Sequence, residues 1–182
     1  MKENLIKKVA IIDMDGTLID ATGPVEGKKI WKEKTGNDYP HKGWWSKRET
    51  LDINVFDNNM FDDIFKEYQK VKSEDDTFVM LCTGRIIPLK NEVKAILNKH
   101  NLEFDDVILN GDKRFSVKGG ENGTLPYKVR VLASCYKRFP NLEEIVFWDD
   151  RESHYPTFKQ WGDNQPIKVT INHVVRSHRK SH

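Results

Sequence analysis

Lys8-Val9-Ala10-Ile11-Ile12 is a short apolar, β-branched run that breaks directly into Asp13-Met14-Asp15-Gly16-Thr17-Leu18. An apolar run of this length, closed by turn residues, reads as a buried strand. Two carboxylates spaced by one residue then stand where that strand ends. In open α/β sheets, ligands bind along that edge. Gly16 permits a sharp exit turn, and Thr17 adds a hydroxyl beside the acids. Asp and Gly are also ordinary turn formers, so an acidic turn without chemistry is the plainer alternative. Whether later strands supply partners for the two acids decides between them.

Four further strands are expected, at residues 77–81, 106–109, 144–148 and 167–171. Helical spacing fills the intervals, at residues 61–71, 88–100 and 151–161, with a shorter helix at 27–35. Thr124 reads as the N-cap of another helix that carries Pro126 in its first turn and reaches Arg138. Strand and helix alternate through the second half. The economical fold is therefore α/β, a three-layer parallel (Rossmann-like) sheet with helices on both faces. About 60 residues separate the first strand from the second, more than a crossover needs. The excess, roughly residues 20–75, reads as a small insertion lying over the strand ends. Residues 1–175 then form a single domain, and 176–182, with Arg176, His178, Arg179 and Lys180, form a basic tail. The default for such a tail is a frayed, solvated segment.

Composition narrows the class. Of 182 residues, 37% are hydrophobic and 32% charged, which still suffices for a core, and the net charge is only +2. That balance does not imply nucleic-acid binding, so any basic surface must come from local clustering. Cys82 and Cys135 stand in apolar settings and read as buried free thiols, with no Cys-x-x-Cys pair to suggest zinc. No apolar run approaches the roughly 20 residues of a membrane span, and none resembles a signal peptide. A soluble, cytoplasmic protein without an obligate protein partner is expected.

The later strands do end in complementary polar groups: Thr83 after the second, Asp149 and Asp150 after the fourth. Lys128, near the start of a helix, adds a cation. Parallel strands gather their carboxyl ends, so these residues can share one cleft. Clustered carboxylates repel unless a hard cation neutralises them, and Mg2+ takes oxygen ligands from a few carboxylates while keeping waters. Metal, hydroxyl and ammonium together suit a phosphate dianion.

In that order, Asp13-x-Asp15-Gly16-Thr17, Thr83-Gly84-Arg85, Lys128 and Asp149-Asp150 resemble the four motifs of the haloacid dehalogenase superfamily. The resemblance implies that Asp13 is a nucleophile forming an aspartyl-phosphate. Asp15 would protonate the leaving oxygen and then activate water. Thr83, Gly84, Lys128 and Arg85 would bind phosphate, although Arg85 equally suits pairing with an acid of the cluster. Mg2+ would be held by Asp13, the main-chain carbonyl of Asp15, and Asp149 or Asp150.

Gly43-Trp44-Trp45, Thr83-Gly84-Arg85, Leu102-Glu103-Phe104-Asp105 and Trp148-Asp149-Asp150-Arg151-Glu152-Ser153-His154 are similar to the phosphatase-like domain of the Swiss Army Knife RNA-repair group. The Asp149-Asp150-Arg151 run also resembles the phosphatase half of phage-type polynucleotide kinase-phosphatases. No Gly-rich Walker loop is present, so no kinase activity follows. Both resemblances imply a phosphorylated polynucleotide end as substrate. A nucleotide or small-metabolite phosphatase, or a non-catalytic binding module, are the alternatives. Trp44 and Trp45, interleaved with Lys42, Lys47 and Arg48, either stack on bases or pack the insertion onto the sheet. His154 reads as a structural residue, because the chemistry already has its acid and base.

Overall fold

Successive residues of β1 (Lys8–Ile12) point to opposite faces of the sheet. Val9 and Ile11 enter one buried cluster, and Ala10 and Ile12 enter another. A strand apolar on both faces must be covered on both, and it is. In this computed structural model, which describes residues 3–118, 120–121 and 123–177, five parallel strands run in the order β3-β2-β1-β4-β5. The others are β2 (Thr77–Ile86), β3 (Asp106–Asn110), β4 (Glu144–Asp149) and β5 (Lys168–His173). One face packs on α2 (Asp62–Lys72) and α3 (Lys90–Lys99) through Ile64, Tyr68, Val93, Ile96 and Leu97. The opposite face packs on α4 (Thr124–Arg138) and α5 (Tyr155–Asp163) through Tyr127, Val131, Leu132 and Phe158. The three-layer α/β architecture read from the alternation is the one observed.

Register brings the polar strand ends together. Ile12 lies opposite Leu81 on β2 and Trp148 on β4, and the Asp13 amide donates to the Trp148 carbonyl at 3.0 Å. Asp13, Thr83 and Asp149 therefore stand toward the carboxyl ends of three adjacent strands. Strand β2 runs on to Ile86, five residues beyond its expected end, because Thr83–Arg85 form an irregularity in the ladder to β3. Past it, Ile86 pairs again with Asn110. Thr124 is the first residue of α4 rather than its cap, and Gly123 stands at the cap position.

Between β1 and α2 the chain builds α1 (Pro24–Thr35) and a loop with its own buried cluster. Trp44, Val55 and Phe56 form that cluster, with Trp31 and Tyr39 against it. Trp44 rests on Gly27 of α1, where an added Cβ would overlap the indole ring itself. Gly27→Ala adds helix propensity of up to about 1 kcal/mol. Overpacking against a rigid ring costs about 1–3 kcal/mol, so the substitution is expected to destabilise. Urea unfolding followed by tryptophan fluorescence measures the sign, and a stabilised variant would refute this packing.

Both cysteines are buried free thiols, each pushed up to about 12 by burial, so neither is a nucleophile at neutral pH. Among the described residues, no helix is long and apolar enough to cross a membrane.

Candidate active site

The exit from β1 is a tight loop. Gly16 has φ 79°, the left-handed region that favours glycine. The amides of Thr17, Leu18 and Ile19 all donate to the Met14 carbonyl, at 3.3, 3.0 and 2.9 Å. This winding orients both oxygens of Asp13. Oδ1 accepts from Lys128 Nζ at 2.8 Å, and Oδ2 accepts from the Thr17 hydroxyl at 3.3 Å. Lys128, on the first turns of α4, also donates to Asp149 Oδ2 at 2.6 Å.

Asp13, Asp149 and Asp150 each offer an oxygen, and the three lie within 4.8 Å of one another. Two of these carboxylates, Asp13 and Asp149, share the Lys128 ammonium, and all three of those groups are buried. Burial raises the Asp13 carboxyl well above the ordinary carboxylate range; Lys128 opposes the rise, and Asp149 and Asp150 add to it. For Lys128, burial alone pulls downward, but the Asp13 and Asp149 charges outweigh it and the ammonium is held upward. A hard divalent cation fits this donor set, since such ions take carboxylate oxygens as ligands.

Asp15 is placed differently. Its carboxylate is outside the acidic cluster, so any share in holding a cation falls to its main-chain carbonyl. Both carboxylate oxygens accept from Arg85: Nε to Oδ2 at 3.0 Å and Nη2 to Oδ1 at 2.8 Å. The third arm, Nη1, donates to the Trp45 carbonyl and the Thr50 hydroxyl, both at 2.8 Å. Arg85 is 2% exposed and fully committed to these partners. It therefore pairs with an acid of the site, the second of the two readings that its sequence leaves open. The pair also ties the Asp15 side chain to the insertion.

Above these residues is a cavity of about 350 Å³ whose walls include Asp13, Asp15, Trp45, Gly84, Thr124, Lys128, Asp149 and Asp150. Thr83 is wholly buried and does not line it; its hydroxyl accepts from the Arg85 amide at 3.1 Å. The hydroxyl on the wall is that of Thr124, against Gly84. Its position four residues before Lys128, on the same helix face, is the signal by which sequence alone could have found it.

The two neighbouring tryptophans separate. Trp44 is 5% exposed, its indole N–H donates to the Thr22 carbonyl at 2.9 Å, and its ring packs on Tyr39 and Phe56. A ring so enclosed cannot stack on a substrate, which corrects that expectation for Trp44. Trp45 does line the cavity, with the Arg85 guanidinium 5.0 Å from its ring. Lys47 and Arg48 lie outside the cavity wall, and Arg48 faces Glu92 at 3.5 Å.

The remaining wall comes from the ends of β4 and β5: Arg151, Glu152, and residues 173–176. Arg176 is no part of a frayed tail. It donates to the Gly16 and Thr17 carbonyls at 3.2 and 2.8 Å and to Asp63 at 2.8 Å, over the Phe61 ring. It therefore braces the Asp13–Thr17 loop against α2. His178, Arg179 and Lys180 lie outside the described residues. His154 is buried beneath Arg151, and burial, then the Arg151 charge, push its imidazole down to about 4 against the opposing pull of Asp149.

A parallel sheet whose carboxyl edge gathers two motif acids, a lysine and an Asp-Asp pair defines a protein of the haloacid dehalogenase (HAD) superfamily. Residues 24–181 match HAD domain family 1 in Swiss Army Knife RNA repair proteins, and the chain belongs to that family. The matched stretch begins after the Asp13–Thr17 loop. An uncharacterized protein of Saccharomyces cerevisiae, YMR265C, is 23% identical over 181 residues, covering 87% of this chain and 38% of its own length. Among solved structures, the HAD domain of the Legionella pneumophila effector protein Lem4 superposes with a TM-score of 0.53 at 14% identity. That likeness covers 96% of this chain and 90% of the Lem4 chain. A chain of the Pnkp1/Rnl/Hen1 RNA repair complex superposes at 0.52 with 15% identity, over 92% of this chain and 43% of that one. The chain thus spans less than half the length of the yeast relative and of the repair-complex chain. These structural likenesses carry the fold alone.

Proposed function

We propose that this domain is a magnesium-dependent phosphohydrolase that removes a terminal phosphate from RNA or DNA. The observation that carries the reading is Asp13, whose two oriented oxygens open onto the cavity beside Lys128 and a cation-ready pair of carboxylates.

In this reading an Asp13 oxygen attacks phosphorus, the bond from phosphorus to the leaving oxygen breaks, and that oxygen takes a proton from Asp15. Water then attacks phosphorus, gives its proton to Asp15 and releases inorganic phosphate with Asp13 restored. Lys128, Gly84 and Thr124 meet the phosphoryl oxygens as charge moves onto them. Magnesium, held by Asp13, the Asp15 carbonyl, and Asp149 or Asp150, would supply charge neutralisation at the phosphoryl group. Arg85 donates once to each Asp15 oxygen and so orients the carboxylate, and the remaining lone pairs are left for the proton.

Trp45 on the wall and the family's membership among RNA repair proteins favour a polynucleotide end over a small metabolite. Release of p-nitrophenol from its phosphate ester in magnesium, abolished by chelator, tests the chemistry. Oligonucleotides phosphorylated at the 3′ or 5′ end, set against mononucleotides, test the substrate. Base stacking on an aromatic contributes about 1–3 kcal/mol, so Trp45→Ala is expected to raise KM for the preferred oligonucleotide roughly ten-fold. Mononucleotides turned over faster than every oligonucleotide would replace this reading with a nucleotide phosphatase.

A further inference from the structure

Three arginines stand on the cavity wall, and they differ in what they hold. Arg85 is committed to Asp15, and Arg176 to Asp63 and two carbonyls. Arg151 has no carboxylate within ion-pair distance among the described residues. This is unexpected chemistry, because its own backbone amide donates to Asp149 at 2.9 Å and three carboxylates of the cluster are close by. An exposed guanidinium beside an acidic cluster would ordinarily fold down onto it.

What engages Arg151 instead is His154. Nη1 of the guanidinium lies 3.4 Å from His154 Nε2. A guanidinium only donates, so Nε2 accepts and the ring proton is on Nδ1. That atom is buried without a hydrogen-bond partner among the described residues. The ring is wedged edge-on against Phe158, with centroids 5.7 Å apart and planes at 89°. Buried polar atoms are rarely left unpaired, and an imidazole that forgoes one hydrogen bond to face an arginine is built for that arginine. His154 is thus a brace that holds Arg151 off the carboxylates and on the cavity wall.

We propose that Arg151, positioned by His154, binds a second phosphate of the substrate, one nucleotide removed from the phosphate that is cleaved. The inference rests on the phosphohydrolase reading above and specifies its substrate. β1 and β4 are adjacent strands, so Arg151 stands just beyond the acids that surround Asp13. The cavity is of a size that holds a small ligand rather than a lone phosphate. A guanidinium matches phosphate oxygens with paired donors, which is why arginine serves where a phosphate must be both bound and oriented. Two sources offer that second phosphate: the internucleotide diester of a polynucleotide, or the other monoester of a nucleoside bisphosphate.

The test compares terminally phosphorylated oligonucleotides whose adjacent linkage is either the native diester or a neutral methylphosphonate. In the wild type, neutralising that linkage is expected to lower kcat/KM about ten-fold or more, the size of a lost charged hydrogen bond. In Arg151→Gln, an exposed site where the fold tolerates exchange, the two substrates are expected to become equivalent. His154→Leu is expected to give an intermediate ratio, because the guanidinium remains but is no longer held. A parallel arm compares a nucleoside 3′,5′-bisphosphate with the corresponding monophosphates. Preference for the bisphosphate that Arg151→Gln abolishes, without turnover of oligonucleotides, keeps the Arg151 site and overturns the polynucleotide reading. Good oligonucleotide turnover with a linkage ratio that Arg151→Gln leaves intact does the reverse. A wild type indifferent to the second phosphate in both arms overturns the site.

Discussion

Asp13→Asn is expected to abolish phosphomonoester turnover while making the metal-free protein more resistant to heat. The first effect follows from chemistry: an amide oxygen is a poor nucleophile toward phosphorus, and loss of a nucleophile typically costs on the order of 10⁴–10⁶ in kcat. The second follows from the charge balance around Lys128. Asp13 and Asp149 share one buried ammonium with Asp150 close by, and burial with two like charges raises the Asp13 carboxyl well above its ordinary value. A carboxyl whose pKa is raised on folding binds more protons folded than unfolded. Its contribution is therefore favourable at low pH, and stability falls as pH rises through the folded pKa. The neutral amide escapes that penalty. In chelator, the melting temperature of Asp13→Asn should exceed that of the wild type at neutral pH, and the gap should close on acidification as Asp13 protonates. Thermal melts across that pH range, beside a p-nitrophenyl phosphate assay in magnesium, read both effects. An active Asp13→Asn would remove the mechanism, and an unchanged or lower melting temperature would remove the account of the cluster.

Strand periodicity and the polar residue closing each strand are local properties, so β1, β4 and the convergence of Asp13 with Asp149 were legible in the sequence. Lys128 was legible for a related reason, since a lone lysine early in a helix that follows a strand of such a sheet has one edge to point at. What escaped were choices among competing partners. Arg85 could equally meet a phosphate or an acid, and its burial with Asp15, Trp45 and Thr50 decided for the acid. Trp44 and Trp45 are adjacent and alike in sequence. Contacts with Gly27, Thr22, Tyr39 and Phe56 enclose the first, and the second faces the cavity. The motif reads Thr83 as a phosphate-binding residue, whereas Thr83 is buried beside the irregular ladder that extends β2 and Thr124 lines the cavity. Arg176 reads as the start of a charged tail because nothing local reveals that Phe61, Asp63 and two loop carbonyls await it. Apart from Thr83, each of these turns on a contact whose partner lies in another element.

Lys128→Met is expected to be the most destabilising single substitution at the site, and magnesium is expected to reverse much of the loss. Methionine keeps the length and apolar body of the side chain, so the packing of α4 survives and charge is the variable. Lys128 Nζ holds Asp13 at 2.8 Å and Asp149 at 2.6 Å, with all three groups buried. Breaking a buried ion pair by removing one partner costs about 3–5 kcal/mol, because the other charge stays desolvated and unpaired. For a chain of this size, that corresponds to a fall in melting temperature of roughly 6–20 °C. A divalent cation bound to Asp13, Asp149 and Asp150 replaces the missing positive charge. At one hundred times its Kd, any ligand of the folded state adds about 2.7 kcal/mol. Magnesium should therefore raise the melting temperature of Lys128→Met by several degrees, and by more than it raises Lys128→Met,Asp13→Asn, which has lost a ligand as well. Differential scanning calorimetry of the wild type and both variants, with chelator and with magnesium, measures all of these terms. Equal responses to magnesium in the single and double variants would mean that the ion binds elsewhere. A Lys128→Met protein as stable as the wild type in chelator would mean that the three carboxylates do not carry the charge argued for them.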